Sequence, residues 1–210
     1  MDRRSFMVGG LGLAAGAAIG AQPAFAQLAA LPYKDQQVVR EAAAYLQNLK
    51  LAKGRFTQTS SRGGASSGQL YLSRPGKARF EYDAPARMLV VADGRNVSVY
   101  DGRLKTFNRY PLGATPLGIF LSRRIQLDEE VKVTNLTRNG SGFSIGLADA
   151  RGNADGRLVL EFASDPLELT GWTVIDGQGV QTRVRLQGLT TVAALDPGLF
   201  RLTDPGRAAG

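Results

Sequence analysis

From residue 55 onward, polar and apolar residues alternate in short runs separated by turn residues. In 77–82 the apolar positions are Ala78, Phe80 and Tyr82, and the polar ones are Lys77, Arg79 and Glu81. That is the two-residue period of a strand with one buried face. Comparable runs occupy 55–59, 68–72, 88–92, 96–100 and 105–110, then 132–137, 142–147, 157–162, 168–175 and 181–189. Asp93-Gly94, Asp101-Gly102, Asn139-Gly140 and Asp176-Gly177 fall between neighbouring runs, and such dipeptides favour tight hairpin turns. About eleven short strands at this spacing predict one large antiparallel sheet, curled into a barrel or half-barrel.

The helical period shows in two places. Over 35–51, Val38, Ala42, Tyr45, Leu46 and Leu49 form one stripe, while Gln36, Gln37, Arg40, Glu41 and Gln47 take the opposite side. A lone amphipathic helix must lay such a stripe on something apolar. Mid-chain, Thr115-Pro116-Leu117-Gly118-Ile119-Phe120-Leu121 reads as an N-cap, a first-turn proline and a short apolar helix. Arg123 and Arg124 follow, where cations favour a helix C-terminus. Asp196-Pro197-Gly198-Leu199-Phe200 starts like another helical turn, and the tail 204–210 is expected to fray.

The first 26 residues stand apart. A basic patch at Arg3-Arg4, an uncharged Gly/Ala-rich stretch over 7–20 and the closing Ala24-Phe25-Ala26 read as an export signal cleaved before Gln27. The stretch is too short and too glycine-rich for a stable membrane span. The order Arg3-Arg4-Ser5-Phe6 resembles a twin-arginine signal. An ordinary secretory signal with two arginines is the alternative, because Met7-Val8 stands where the twin-arginine pattern has a hydrophobic residue and lysine. Both routes place residues 27–210 outside the cytoplasm as one domain, long enough for a substantial core. The chain has no cysteine, so neither a disulfide nor a lipid-accepting cysteine after the signal is available, and the exported protein is expected to be soluble.

Chemistry narrows further. Residues 27–210 hold 24 Lys+Arg against 17 Asp+Glu, an excess in no contiguous run, which fits anionic membrane faces or acidic protein patches better than nucleic acid. Histidine is absent, which removes the commonest general base and metal ligand, and without cysteine thiol catalysis and structural zinc are excluded. Gly142-Phe143-Ser144-Ile145-Gly146 matches the G-x-S-x-G nucleophile elbow. It lies in an alternating strand after an Asn-Gly turn and has no base to take the serine proton, so the match is read as chance. Asp128-Glu129-Glu130 is read as solvated surface, and 149–156 lacks the ligand spacing and closing glutamate of a calcium loop. Neither an enzyme nor a cofactor or metal site is expected.

The stretch Gly54-Arg55-Phe56-Thr57-Gln58, and then 68–82 with its Ser73-Arg74-Pro75-Gly76 step, resembles the LolA family of periplasmic lipoprotein carriers. Pro85, Leu89-Val90-Val91-Ala92-Asp93-Gly94, Val99-Tyr100, Thr115-Pro116-Leu117, Asp196-Pro197 and Phe200-Arg201-Leu202 continue the likeness in order. The resemblance implies a mainly β fold with short helices. Its curled antiparallel sheet forms an incomplete (half) β-barrel, with a helical lid over an apolar cavity. It implies a monomeric periplasmic carrier that takes lipoproteins, by their acyl chains, from an inner-membrane Lol-type ABC transporter to the outer membrane or its receptor. A carrier of another lipid or amphiphile on the same half-barrel is the alternative. By the same likeness Arg74 is the lid latch, and Phe56, Leu70, Leu72, Phe80, Tyr82, Leu117, Phe120 and Leu121 line the lipid cavity. Two departures stand out: twin-arginine export is not this family's usual route, and the short tail after Leu202 implies that an extra C-terminal strand is missing.

On the twin-arginine reading, replacing Arg3 and Arg4 by lysine strands the precursor in the cytoplasm, because the receptor reads the arginine pair itself. Fractionation followed by immunoblotting checks this. Normal export of the lysine pair means the general secretory route.

Overall fold

The computed structural model describes residues 31–122 and 131–204. The export signal, Arg123 and Arg124, the acidic run 128–130 and the end of the tail from 205 lie outside the described residues. Helix α1 (Tyr33–Asn48) leads into β1 (Leu51–Ser60), β2 (Ala65–Ser73), β3 (Lys77–Tyr82), β4 (Met88–Asp93), β5 (Asn96–Asp101) and β6 (Thr106–Pro111). A single 3-10 turn (Leu112–Ala114) and helix α2 (Pro116–Leu121) interrupt the strands. Then come β7 (Val131–Asn139), β8 (Gly142–Asp149), β9 (Arg157–Ser164), β10 (Leu167–Ile175) and β11 (Gln181–Thr191), and a second 3-10 turn at Pro197–Phe200.

All eleven strands join one sheet in the order β6-β5-β4-β3-β2-β1-β11-β10-β9-β8-β7. Every pairing is antiparallel, and the two edge strands, β6 and β7, do not pair with each other. The result is the expected mainly β, curled and open sheet. Register shifts at Lys53/Arg55, Leu169/Gly171 and Val133/Asn135 mark irregularities in β1, β10 and β7, and such bulges increase local twist and bend a sheet toward closure.

Alternation decides which face is inside. Leu70 pairs with Phe80 and Leu72 with Ala78, while across the sheet Trp172 pairs with Leu160 and Leu160 with Ile145. These side chains share the concave face and one continuous apolar cluster, which α1 and α2 complete. On the outer face, Val91 and Ser98 are buried as well. There the C-terminal turn packs over β3 and β4, with Arg79 Nη1 donating to the Leu199 carbonyl at 3.1 Å and Arg109 Nη2 to that of Leu202 at 3.3 Å.

Local departures from expectation have simple causes. Helix α1 begins at Tyr33 and ends at Asn48, because Leu51 already pairs with Ser73 in β1. Its buried stripe is Val39, Ala42, Ala43 and Leu46, and Val38 and Tyr45 flank it. Thr115 occupies the N-cap position of α2 without capping it; its hydroxyl donates backward to the Leu112 carbonyl at 2.8 Å. Asp196 does cap its turn, accepting from the Gly198 N–H at 2.8 Å. The segment 142–146 is regular strand, paired on both sides.

Gly68 shows how tightly the concave face is built. A Cβ there would stand 2.2 Å from the Glu81 carbonyl oxygen and 2.9 Å from the Phe56 ring. That ring lies edge-on to Phe80 and Tyr82 at centroid distances of 5.6 and 5.0 Å. Gly68→Ala is therefore expected to cost about 1–3 kcal/mol by overpacking, read as a lower urea midpoint. Ser66→Ala, two residues away on the same strand, should stay within about 0.5 kcal/mol.

Candidate functional site

The concave face is the candidate site, and its chemistry is hydrocarbon. Phe56, Leu70, Leu72 and Phe120 are wholly buried, Leu121 and Phe80 nearly so, and Tyr82 and Leu117 pack half-buried against the same cluster. All eight expected lining residues thus fall in one apolar layer. Tyr82 adds a polar margin: its hydroxyl donates to Gln58 Oε1 at 2.7 Å, and burial pushes it up to about 12. The other half of the layer comes from β8, β9 and β10. Trp172 sits at its centre, stacked on Phe120 at 5.0 Å and edge-on to Phe80 at 6.1 Å. Leu158, Leu160 and Phe162, every second residue of β9, were legible from alternation alone but do not belong to the segment where the family likeness is densest.

The helices close this face. Val39, Ala42, Ala43 and Leu46 of α1 lie over Ile145, Leu147, Leu160 and Phe162, leaving a void of about 10 Å³ between them. That is room for about one water molecule at most. Between α1 and the sheet nothing the size of an acyl chain fits unless the helix lifts. On the outer end of α1, Asp35 is ion-paired with Arg138 of the edge strand β7, a half-exposed contact of the kind worth less than about 1 kcal/mol.

The opposite ends of the helices meet at Arg74. The last carbonyls of any helix lack intrahelical partners. The Tyr45 carbonyl accepts from the Leu49 N–H at 3.0 Å, and the Leu46 carbonyl accepts from Arg74 Nη1. At the end of α2, the Leu121 carbonyl accepts from the Gly76 N–H at 2.8 Å and the Ser122 carbonyl from Arg74 Nη2 at 3.2 Å. The guanidinium also lies 5.4 Å from the centre of the Phe120 ring. The β2–β3 turn therefore holds both helix ends. Arg74 is buried (8% exposed), and burial pulls its pKa down to about 10, so it remains a cation at neutral pH. Sequence placed Arg74 beside a Pro-Gly turn; that it bridges two helix ends is visible only in the fold.

Two open clefts flank the closed face. One, of about 540 Å³, lies at the hairpin end between β1, β2 and the β3–β4 connection, and its walls mix Gln58, Ser66, Asp83, Met88, Asp101 and Arg103. The other, of about 430 Å³, opens beside Arg74. Several acidic side chains elsewhere serve the backbone. The Asp149 carboxylate accepts from the N–H groups of Arg151 at 3.0 Å and Ala154 at 2.9 Å, which closes the β8–β9 loop.

The family model for the outer membrane lipoprotein carrier protein LolA matches residues 47–203. The outer-membrane lipoprotein carrier protein of Methylococcus capsulatus is 31% identical over 144 residues, covering 67% of this chain and 68% of its own length. That of Neisseria meningitidis serogroup B is 30% identical over 161 residues, covering 72% of this chain and 76% of its own. Among solved structures, a LolA superfamily protein from Nitrosomonas europaea covers 79% of this chain and 97% of its own, at 10% identity and a TM-score of 0.49. Matched in sequence from the end of α1 to the C-terminal turn, the chain belongs to the LolA family of outer membrane lipoprotein carrier proteins.

Proposed function

We propose that this protein is a periplasmic carrier that receives lipoproteins from an inner-membrane Lol-type ABC transporter. It holds their acyl chains against its concave face and passes them to the outer membrane or a receptor there. Residues 1–26 serve as the export signal, and the protein performs no catalysis of its own. Among the described residues no helix is long and apolar enough to cross a membrane, which accords with a carrier that works between membranes.

The observation behind this reading is the closure of an apolar face by two helices whose ends share one arginine. Each CH₂ withdrawn from water is worth about 0.8 kcal/mol, so a lipid-modified protein needs an apolar host to cross an aqueous gap. Lifting the helices exposes the concave face, and acyl chains cover it again. The hydrophobic gain and loss largely offset, which leaves the polar contacts to set the balance between closed and open states. Among the described residues those contacts include the two Arg74 bonds, the Gly76–Leu121 bond and the half-exposed Asp35–Arg138 pair. A net hydrogen bond contributes about 0.5–1.5 kcal/mol, and one to a charged group about 1.5–3. Closed and open forms then differ by a few kcal/mol, a gap that cargo binding can reverse.

Arg74→Leu should fold and take up lipoprotein yet release it poorly, because the helices lose their closing contacts while the site gains apolar surface. Transfer from the purified complex to outer-membrane vesicles measures this, and unaltered transfer would remove Arg74 from the lid. The closure should also be insensitive to pH between about 5 and 9. Its bonds join a guanidinium to carbonyls, and the chain has no histidine. Burial lowers the Arg74 pKa to about 10, so the cation persists below that value and is lost only as pH rises through it. Emission from Trp172, the single tryptophan and a neighbour of Phe120, should stay flat across that window.

A further inference from the structure

Arg74 is a buried cation with no opposite charge in ion-pairing range among the described residues. Its Nη atoms have only carbonyl partners, and its Nε has none among the described residues. Withdrawing a charge from water is costly, and carbonyl dipoles recover only part of that cost. Such a group is normally left in water or paired with an opposite charge. Arg74 instead lines an open cleft of about 430 Å³, together with Leu46, Gln47, Lys50, Pro75 and Ser122. The exposed Lys50 provides a second positive charge at the rim.

We propose that this cleft binds a phosphate-bearing anion, which competes with the ends of both helices for the Arg74 guanidinium. Phosphate fits better than a carboxylate. The donors available are the Arg74 fork, the Lys50 ammonium and the Gln47 amide, carried by three separate side chains that line the cleft. The diverging oxygens of a phosphate meet such a set, whereas the two coplanar oxygens of a carboxylate suit the fork alone. Bonds from guanidinium to an anion are stronger than those to a neutral carbonyl. Once the anion holds Arg74, the Leu46 and Ser122 carbonyls lose their donor. The negative ends of α1 and α2 then face a full negative charge, which disfavours their return. This step rests on the lid reading above. It would make an anionic phospholipid headgroup the signal that opens the carrier at a membrane surface.

The test uses the full exported chain labelled with ¹⁵N. The Arg74 Nε–H resonance is assigned by its disappearance in Arg74→Lys, and Trp172 emission is recorded in parallel. Inorganic phosphate, dihexanoyl phosphatidylglycerol and dihexanoyl phosphatidylcholine are titrated separately. The expected result is a saturable Nε–H shift with phosphatidylglycerol that weakens roughly fivefold in Lys50→Ala, accompanied by a change in Trp172 emission. A shift with inorganic phosphate but not with the lipid supports the site and makes the free anion its ligand. A shift with constant Trp172 emission keeps the anion site and rejects the helices as a lid. No saturable shift, a shift indifferent to Lys50→Ala, or an equal response to phosphatidylcholine overturns the proposal.

Discussion

Two helix C-termini end on one arginine, and much of the structure follows from that arrangement. A helix leaves its last carbonyls without partners, and those that pack against the sheet need donors from it. The β2–β3 turn solves this for α1 and α2 together, through the Arg74 guanidinium and the Gly76 N–H. The solution is polar and reversible, and it sits at the margin of an apolar layer that has no such directionality. Packing sets where the helices lie, and on the proposed lid reading a handful of hydrogen bonds sets whether they stay.

The same economy appears in the sheet. An open eleven-stranded sheet has two exposed edges and a concave face that must be covered. A closed barrel would remove the edges but leave no way for a helix to lift away from the interior. Here β1 and β11 pair at the centre of the sheet, and curvature comes from bulges and from close backbone approaches such as that at Gly68. The outer face is fastened differently. Arg79 and Arg109 hold the C-terminal turn by its carbonyls, on the side away from both helices. On the proposed lid reading, motion of α1 and α2 need not disturb this C-terminal turn.

The apolar layer has no specific polar recognition at its centre. Phe56, Phe80, Phe120 and Trp172 meet edge-on or stacked, each pair adding about 0.5–1.5 kcal/mol beyond simple burial. On the proposed reading such a surface would accept hydrocarbon of any origin, and selectivity would arise at the margins, where Tyr82, Gln58 and Arg74 place hydrogen-bonding groups.

What the sequence determined by itself was local. Alternation in 77–82 and 157–162 named the strands and their buried faces, and Asp-Gly and Asn-Gly pairs placed the turns, because side-chain period and turn conformation depend on neighbouring residues only. The same logic misplaced what depends on distant partners. Leu51 joins β1 because Ser73 pairs with it, and the buried stripe of α1 turned from Val38 to Val39 because β8 and β9 lie on that side. Trp172 gave no local sign of its place between Phe80 and Phe120. Arg74 is the clearest case. In sequence it is a charged residue beside Pro-Gly, ordinarily solvated, and family likeness alone suggested another role. Only the tertiary structure buried it between helix ends that lie 28 and 48 residues away along the chain, since the partners of a helix terminus are fixed by what packs against it and not by what precedes it.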